Sequence, residues 1–176
     1  EEPDTRSFTR EQVDELVRRH TDNGDTWLAD MITLGCKTGM RRSEIINLPL
    51  GIIEWDMEKT RIWLPSEITK TNKGRWVSLA AKGAWDCALR LKESMKTQYS
   101  DRRFYDRWWD VKHAMGYGKC DWFKFHATRH TAATNMSKGN INALTVAKQL
   151  GHASIQTTMK YYHGDADTLN QATADL

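Results

Sequence analysis

Apolar positions recur at helical spacing in the first third of the chain, alternate in the middle, and return to helical spacing in the last half. Thr9 followed by Gln12 has the form of a capping box, and Val13, Leu16 and Val17 then share one face, which predicts an amphipathic helix. A polar turn at 22–25 separates it from residues 27–36, where Leu28, Met31, Ile32 and Leu34 predict the central buried helix. That helix ends at Thr38-Gly39, and a short helix is expected over 41–47. Residues 52–56 and 61–65 alternate around Asp56-Met57-Glu58-Lys59, a hairpin pattern. Residues 68–71 and 75–79 flank Asn72-Lys73-Gly74, with Gly74 expected where a turn tolerates positive φ. Together these predict a small antiparallel sheet of three strands.

Helical spacing resumes at 82–97, with Ala84, Cys87, Leu89 and Leu91 as candidate inward residues, and at 104–115, closed by Gly116-Tyr117-Gly118. Residues 121–125 lead into a helix opened by His126. A connecting arm over 135–148 makes Met136, Ile141, Leu144, Val146 and Leu150 available for packing. Gly151 is placed as a helix terminator, so His152 starts the loop beyond it. A short helix is expected over 154–162 with Ser154 as its N-cap, and a helical tail over 168–176. The fold class is mainly α with a small antiparallel three-stranded sheet. The polar segment 1–8, which contains Pro3, reads as a linker, 9–163 as one domain, and 164–176 as a tail.

Composition narrows the class only a little. At 176 residues the chain is long enough for one packed domain, and its net charge of +3 hints weakly at an anionic partner. Cys36, Cys87 and Cys120 are odd in number and lack metal-ligand spacing, so reduced thiols are expected. No apolar run approaches a membrane span, and no secretory signal opens the chain, so a cytoplasmic, membrane-free protein is the expectation. The eight tryptophans are expected in core packing. Trp108 and Trp109, adjacent on a helix, point about 100° apart and cannot share a face.

The chemistry lies in five short patterns. Thr38-Gly39-Met40-Arg41-Arg42-Ser43-Glu44 puts Arg41 and Glu44 on one helical face; this is either a surface ion pair or a guanidinium held by a carboxylate and aimed at a phosphate. Lys70-Thr71-Asn72-Lys73-Gly74-Arg75 offers lysines on a hairpin turn, solvated or reaching over a bound phosphate. His126-x-x-Arg129, followed by His130, presents two groups three residues apart on one face. Leu150-Gly151-His152 adds a histidine after a helix end. Thr157-Thr158-Met159-Lys160-Tyr161-Tyr162-His163 adds a tyrosine that is either half-buried packing or a nucleophile. From 126 to 163 the cations, histidines and tyrosines come with little acidic charge, which suits an anionic target such as a phosphate.

In this order, T-G-x-R-x-x-E, a hairpin lysine, H-x-x-R-H-T, L-G-H and T-T-x-x-Y resemble the tyrosine recombinase (phage integrase) family, from Thr9 to His163. The resemblance implies the family's catalytic-domain fold, an N-terminal DNA-binding domain upstream of the linker, and a tail that docks on a neighbouring protomer. It implies Arg41, Lys70, His126, Arg129, His152 and Tyr161 as catalytic residues, with Glu44 supporting Arg41. Arg42, Lys73, Arg75 and His130 are then the expected DNA contacts, and no metal or other cofactor is called for. Lys73 competes with Lys70, and Tyr162 with Tyr161, because Tyr162 stands where the family usually has a small residue. The implied reaction is attack of the tyrosine on a DNA phosphodiester, giving a 3′-phosphotyrosyl link without metal or ATP. The implied partners are double-stranded DNA, a tetramer of the chain on it, and accessory DNA-bending proteins. A type IB topoisomerase-like strand transferase and a non-catalytic DNA-binding relative remain open.

Overall fold

The computed structural model describes residues 5–162. The predicted helical tail, its docking role and His163 lie outside the described residues. Thr9 caps the first helix, α1 (Arg10–Asp22), and the capping box closes in both directions: Gln12 N donates to Thr9 Oγ1 at 3.2 Å, and Thr9 N to Gln12 Oε1 at 2.8 Å. The central helix α2 (Thr26–Thr38) buries residues on nearly every side, from Trp27 to Thr38, because later helices pack around it. It ends at Gly39, whose φ of +72° turns the chain sharply into α3 (Arg42–Ile46).

The sheet follows as β1 (Glu54–Trp55), β2 (Arg61–Leu64) and β3 (Arg75–Ser78), antiparallel and in sequence order. Pairing of Ile62 with Val77 and Leu64 with Arg75 puts Ile62, Leu64, Arg75 and Val77 on the core face. Two expectations fail here. Residues 68–71, expected to flank the second turn as a strand, instead end a 3₁₀ turn (Ser66–Ile68) and enter the loop, which the Thr69 hydroxyl holds by accepting from Lys73 N and donating to Lys73 O. The positive φ of that loop falls on Asn72, at +51°, not on Gly74. Gly74 is required for closeness instead, since a Cβ there would stand 2.4 Å from the Trp63 ring.

Helices α4 (Ala84–Ser94) and α5 (Asp101–Ala114) flank α1 and α2. Leu89, expected inward, lies on the exposed face of α4, while Ala84, Cys87 and Leu91 are buried. On α5, Trp108 is buried and Trp109 exposed, as their 100° separation requires. The connecting arm is the end of α6 (Ala127–Lys138), a tight turn, and α7 (Ala143–Leu150). Of its expected packing residues, Val146 and Leu150 are buried and Met136 packs against them, whereas Ile141 and Leu144 are exposed. The last helix, α8 (Gln156–Met159), is shorter than predicted and starts after Ile155; Ser154 Oγ accepts from Gln156 N just before it.

Phe8, at the end of the expected linker, is buried against Trp108, Trp122 and Phe123. Its backbone N–H donates to Thr131 Oγ1 on α6 at 2.9 Å, so the packed domain includes it. No helix among the described residues is long and apolar enough to cross a membrane.

Candidate active site

Three chain segments converge beneath the start of α6. Arg129, one turn into that helix, is buried and donates to the Gly39 carbonyl at 2.7 Å and the Leu150 carbonyl at 2.6 Å. These carbonyls terminate α2 and α7, so the guanidinium sits between the negative ends of two helix dipoles. The fit depends on Gly39, where a Cβ would stand 2.1 Å from Leu150 Cδ2. Burial and the neighbouring Arg41 press the Arg129 pKa down to about 9, against the pull of Glu44; it stays charged at neutral pH.

Glu44 is the buried counter-charge, and the structure divides it between two arginines. It accepts the Arg41 backbone N–H at 2.8 Å and Arg41 Nη1 at 3.1 Å, as the first sequence pattern predicts. Its better partner is Arg75, whose two terminal nitrogens donate at 2.8 and 2.9 Å in a fork. Burial alone would raise the Glu44 pKa, but Arg75 and then Arg41 outweigh it and hold the carboxyl below its ordinary value. Arg75, expected on the DNA-facing surface, is thus a buried strut; its Nε also donates to the Gln149 carbonyl at 3.0 Å. Strand alternation explains this, because position 75 shares a face with Val77.

Above this layer Arg41, Arg42, Lys70, Lys124 and His126 line a cleft of about 420 Å³, with Phe104 and Tyr105 on one wall. Lys70 is exposed at its rim, as the hairpin reading expects, while Lys73 lies across the turn with its backbone bound to Thr69. Arg42 is held sideways: it donates to Tyr99 Oη and Asp101 Oδ1, both at 2.6 Å, and lies over the Phe104 and Tyr105 rings.

His126 and His152 both have their pKa pushed down to about 4, first by burial among protein atoms and then by Arg129 and Arg41. Lys160 adds to the push on both, and Lys124 to that on His126. Both rings are therefore neutral at pH 7 and sit in a cationic field. His152 Nδ1 is paired with Thr158 Oγ1 at 2.6 Å, which gives the second threonine of the Thr157-Thr158 pattern its role.

The two tyrosines are placed differently. Tyr161 is buried, its hydroxyl is hydrogen-bonded to His130 Nδ1, and its carbonyl accepts from Ser137 Oγ at 2.8 Å. Burial raises its pKa to about 12, with Arg129 pulling the other way. Tyr162 turns outward and donates its hydroxyl to the Ile141 carbonyl. Arg41 and His126 thus line the cleft with Lys70 at its rim and Glu44 beneath, the buried Arg129 acts electrostatically on His126, His152 and Tyr161, and Tyr161 itself lines a neighbouring groove with Lys160. His130, half-buried, is hydrogen-bonded to Tyr161. Sequence reasoning missed Lys124, two residues before His126, and Lys160, whose Nζ lies 5.3 Å from the Tyr161 ring centroid. Both were visible as cations flanking the motifs. Among the described residues, no group of three or more His, Cys, Asp or Glu side chains is arranged to hold a metal ion.

Residues 6–167 match the sequence model of the phage integrase family. The chain belongs to the phage integrase family. Tyrosine recombinase XerC of Caldanaerobacter subterraneus subsp. tengcongensis is 32% identical over 158 residues, covering 81% of this chain and 42% of that protein. XerC of Corynebacterium efficiens is 30% identical over 153 residues, 77% of this chain and 46% of that protein. XerA of Saccharolobus solfataricus is 27% identical over 143 residues, with 79% and 46% covered. This integrase-family chain spans less than half the length of these curated relatives. Its fold is shared with the Tn1549 transposon integrase solved with transposon right end DNA (TM-score 0.70, 16% identity, 98% of this chain and 66% of that one). It is also shared with XerH site-specific recombinase bound to difH (TM-score 0.68, 18% identity, 96% and 53% covered).

Proposed function

We propose that this chain is the catalytic part of a site-specific DNA recombinase that cuts and rejoins double-stranded DNA through Tyr161. The observation that carries the reading is that Arg41, His126, His152 and Tyr161, from separate stretches of sequence, all lie within electrostatic reach of the buried Arg129, beside a carboxylate occupied by arginines. The DNA in the Tn1549 integrase and XerH structures supports the same substrate class here.

The Tyr161 oxygen attacks a DNA phosphodiester, forming an O–P bond, breaking the bond to the 5′ oxygen and leaving a 3′-phosphotyrosyl link. Arg41 and Arg129 balance the charge that builds on the non-bridging oxygens. Arg129 uses two of its five N–H donors on carbonyls, which fixes its orientation and leaves the rest for phosphate. The neutral His126 and His152 hydrogen-bond the phosphate, and Lys70 gives a proton to the departing 5′ oxygen. One phosphate ester replaces another, so the step needs no ATP, and the cationic side chains take the charge-balancing role that metal ions have elsewhere. Each cut strand uses one tyrosine and two duplexes hold four strands, so a tetramer on DNA is the matching assembly.

The test is incubation with a library of nicked duplexes of randomised core sequence that lose a short 5′-hydroxyl strand on cleavage, followed by denaturing gels. A covalent protein–DNA band is expected that persists in EDTA, survives Tyr162→Phe and vanishes in Tyr161→Phe. A band retained by Tyr161→Phe, or strictly dependent on Mg²⁺, overturns this mechanism. DNA binding without any band favours a binding-only relative.

A further inference from the structure

Attack by Tyr161 requires that its phenolic proton leave, and the roles assigned so far supply a donor for the 5′ oxygen but no acceptor for this proton. We propose that His130 is that acceptor: its Nδ1 takes the Tyr161 proton during strand cleavage and returns it during rejoining. The inference rests on the reading of Tyr161 as nucleophile.

Among the described histidines near the site, geometry selects His130. Arg129 and His130 are adjacent on α6, about 100° apart, so one points inward to the carbonyls of Gly39 and Leu150 and the other toward the α8 side. There His130 Nδ1 is hydrogen-bonded directly to the Tyr161 hydroxyl, with the ring centroids 5.9 Å apart. Ser137, two turns further along α6, holds the Tyr161 carbonyl, so one helix carries both the ring partner and the backbone anchor of this tyrosine. His152 is engaged by Thr158. His126 stands edge-on to His130 at 5.0 Å between centroids and lines the phosphate cleft.

In this role the protonated phenol is the donor and Nδ1 the acceptor of their hydrogen bond, which requires a neutral imidazole protonated at Nε2. As the Tyr161 O–P bond forms, the O–H electron pair stays on oxygen and the proton passes to Nδ1, while the bond to the 5′ oxygen breaks and that oxygen is protonated separately. The resulting imidazolium lies beside the phosphotyrosyl ester. When a 5′-hydroxyl attacks in reverse, the imidazolium protonates the departing Tyr161 oxygen. Among the described residues, the titratable and charged groups near the pair include His126 and Arg129 on α6, Lys160 beside the Tyr161 ring, and Arg6 and Lys138 lining the groove on its other side.

The experiment has two arms on the full chain. In the first, ¹⁵N NMR of the ring nitrogens at neutral pH is expected to show His130 Nδ1 unprotonated and hydrogen-bonded, with its shift changing in Tyr161→Phe. A proton resident on Nδ1 overturns the proposal, and this arm needs no active DNA substrate. In the second, the rate of the covalent band is followed against pH for wild type, His130→Ala and His130→Asn. His130→Ala is expected to slow it about 10²–10⁴-fold near neutrality, the usual scale of general acid–base catalysis. Free imidazole should restore the rate in proportion to its neutral form, and His130→Asn, which keeps an acceptor but cannot carry the proton, should recover as pH rises. A uniform loss at every pH without imidazole rescue, or no loss, overturns the role of His130 while leaving Tyr161 as nucleophile. Loss of the wild-type band itself would strike the underlying reading instead.

Discussion

Glu44 shows how one residue's chemistry changes with its partner. Spacing pairs it with Arg41, and the structure keeps that bond but adds a tighter fork from Arg75. Removing one member of a buried ion pair leaves the other charge uncompensated, at a cost of roughly 3–5 kcal/mol. Glu44→Gln should therefore lower the thermal midpoint by about 10 °C for a chain of this size. Adding Arg75→Met should recover much of the loss, and calorimetry of the three proteins would check both. If the double variant is no more stable than the single, Arg75 is not the partner that matters. The pairing of 41 with 44 was legible because i,i+3 spacing is local. That of 44 with 75 was not, because it needs β3 to lie beside α3. The alternation of β3 nevertheless already placed position 75 with Val77 and Leu79.

At the scale of elements, the close crossing of α2 and α6 sets the site. A Cβ at Gly35 would stand 2.6 Å from Thr128 Oγ1, and Thr128 is buried with its hydroxyl bonded to the Phe125 carbonyl. Thr128 immediately precedes Arg129, so any widening of this crossing moves the guanidinium away from the Gly39 carbonyl. Gly35→Ala should cost about 1–3 kcal/mol by overpacking and slow adduct formation more than it weakens DNA binding. Chemical denaturation and the gel assay would measure the two effects; an unchanged stability would mean that the crossing is not tight. Most helices were readable from periodicity, although the arm over 135–148 was not divided into the end of α6 and a separate α7. Leu89, Ile141 and Leu144 were misjudged because apolar identity alone does not say which helix face finds a neighbour.

For the molecule as a whole, acid stability follows from histidines kept neutral. His20 is fully buried, stacks near Trp108 and has no hydrogen-bond partner at either ring nitrogen. Burial lowers its pKa to about 4 from the ordinary 6.5, against the pull of Asp25. In the unfolded chain the ring gains its proton near pH 6.5, whereas in the folded protein it does so only near 4. Its stability is then fully present above pH 6.5 and is lost as pH falls toward 4, by roughly 3 kcal/mol. His126 and His152 act in the same window and direction. His20→Leu should flatten the decline in urea midpoint between pH 7 and pH 4, and a decline as steep as wild type would remove His20 from the account.

What the sequence determined by itself is local: helices where apolar residues recur every three or four positions, hairpins where they alternate, and caps at Thr9, Gly39 and Gly151. The order of the five motifs also sufficed for the family, because each motif is a contiguous string. The tertiary structure decided which of those residues meet. It put Arg75 inside, turned Tyr161 toward His130 and Tyr162 toward Ile141, and added Lys124 and Lys160 to the site. These outcomes depend on how separate helices and strands pack, and packing is set by the summed burial of the whole core rather than by any one stretch of sequence.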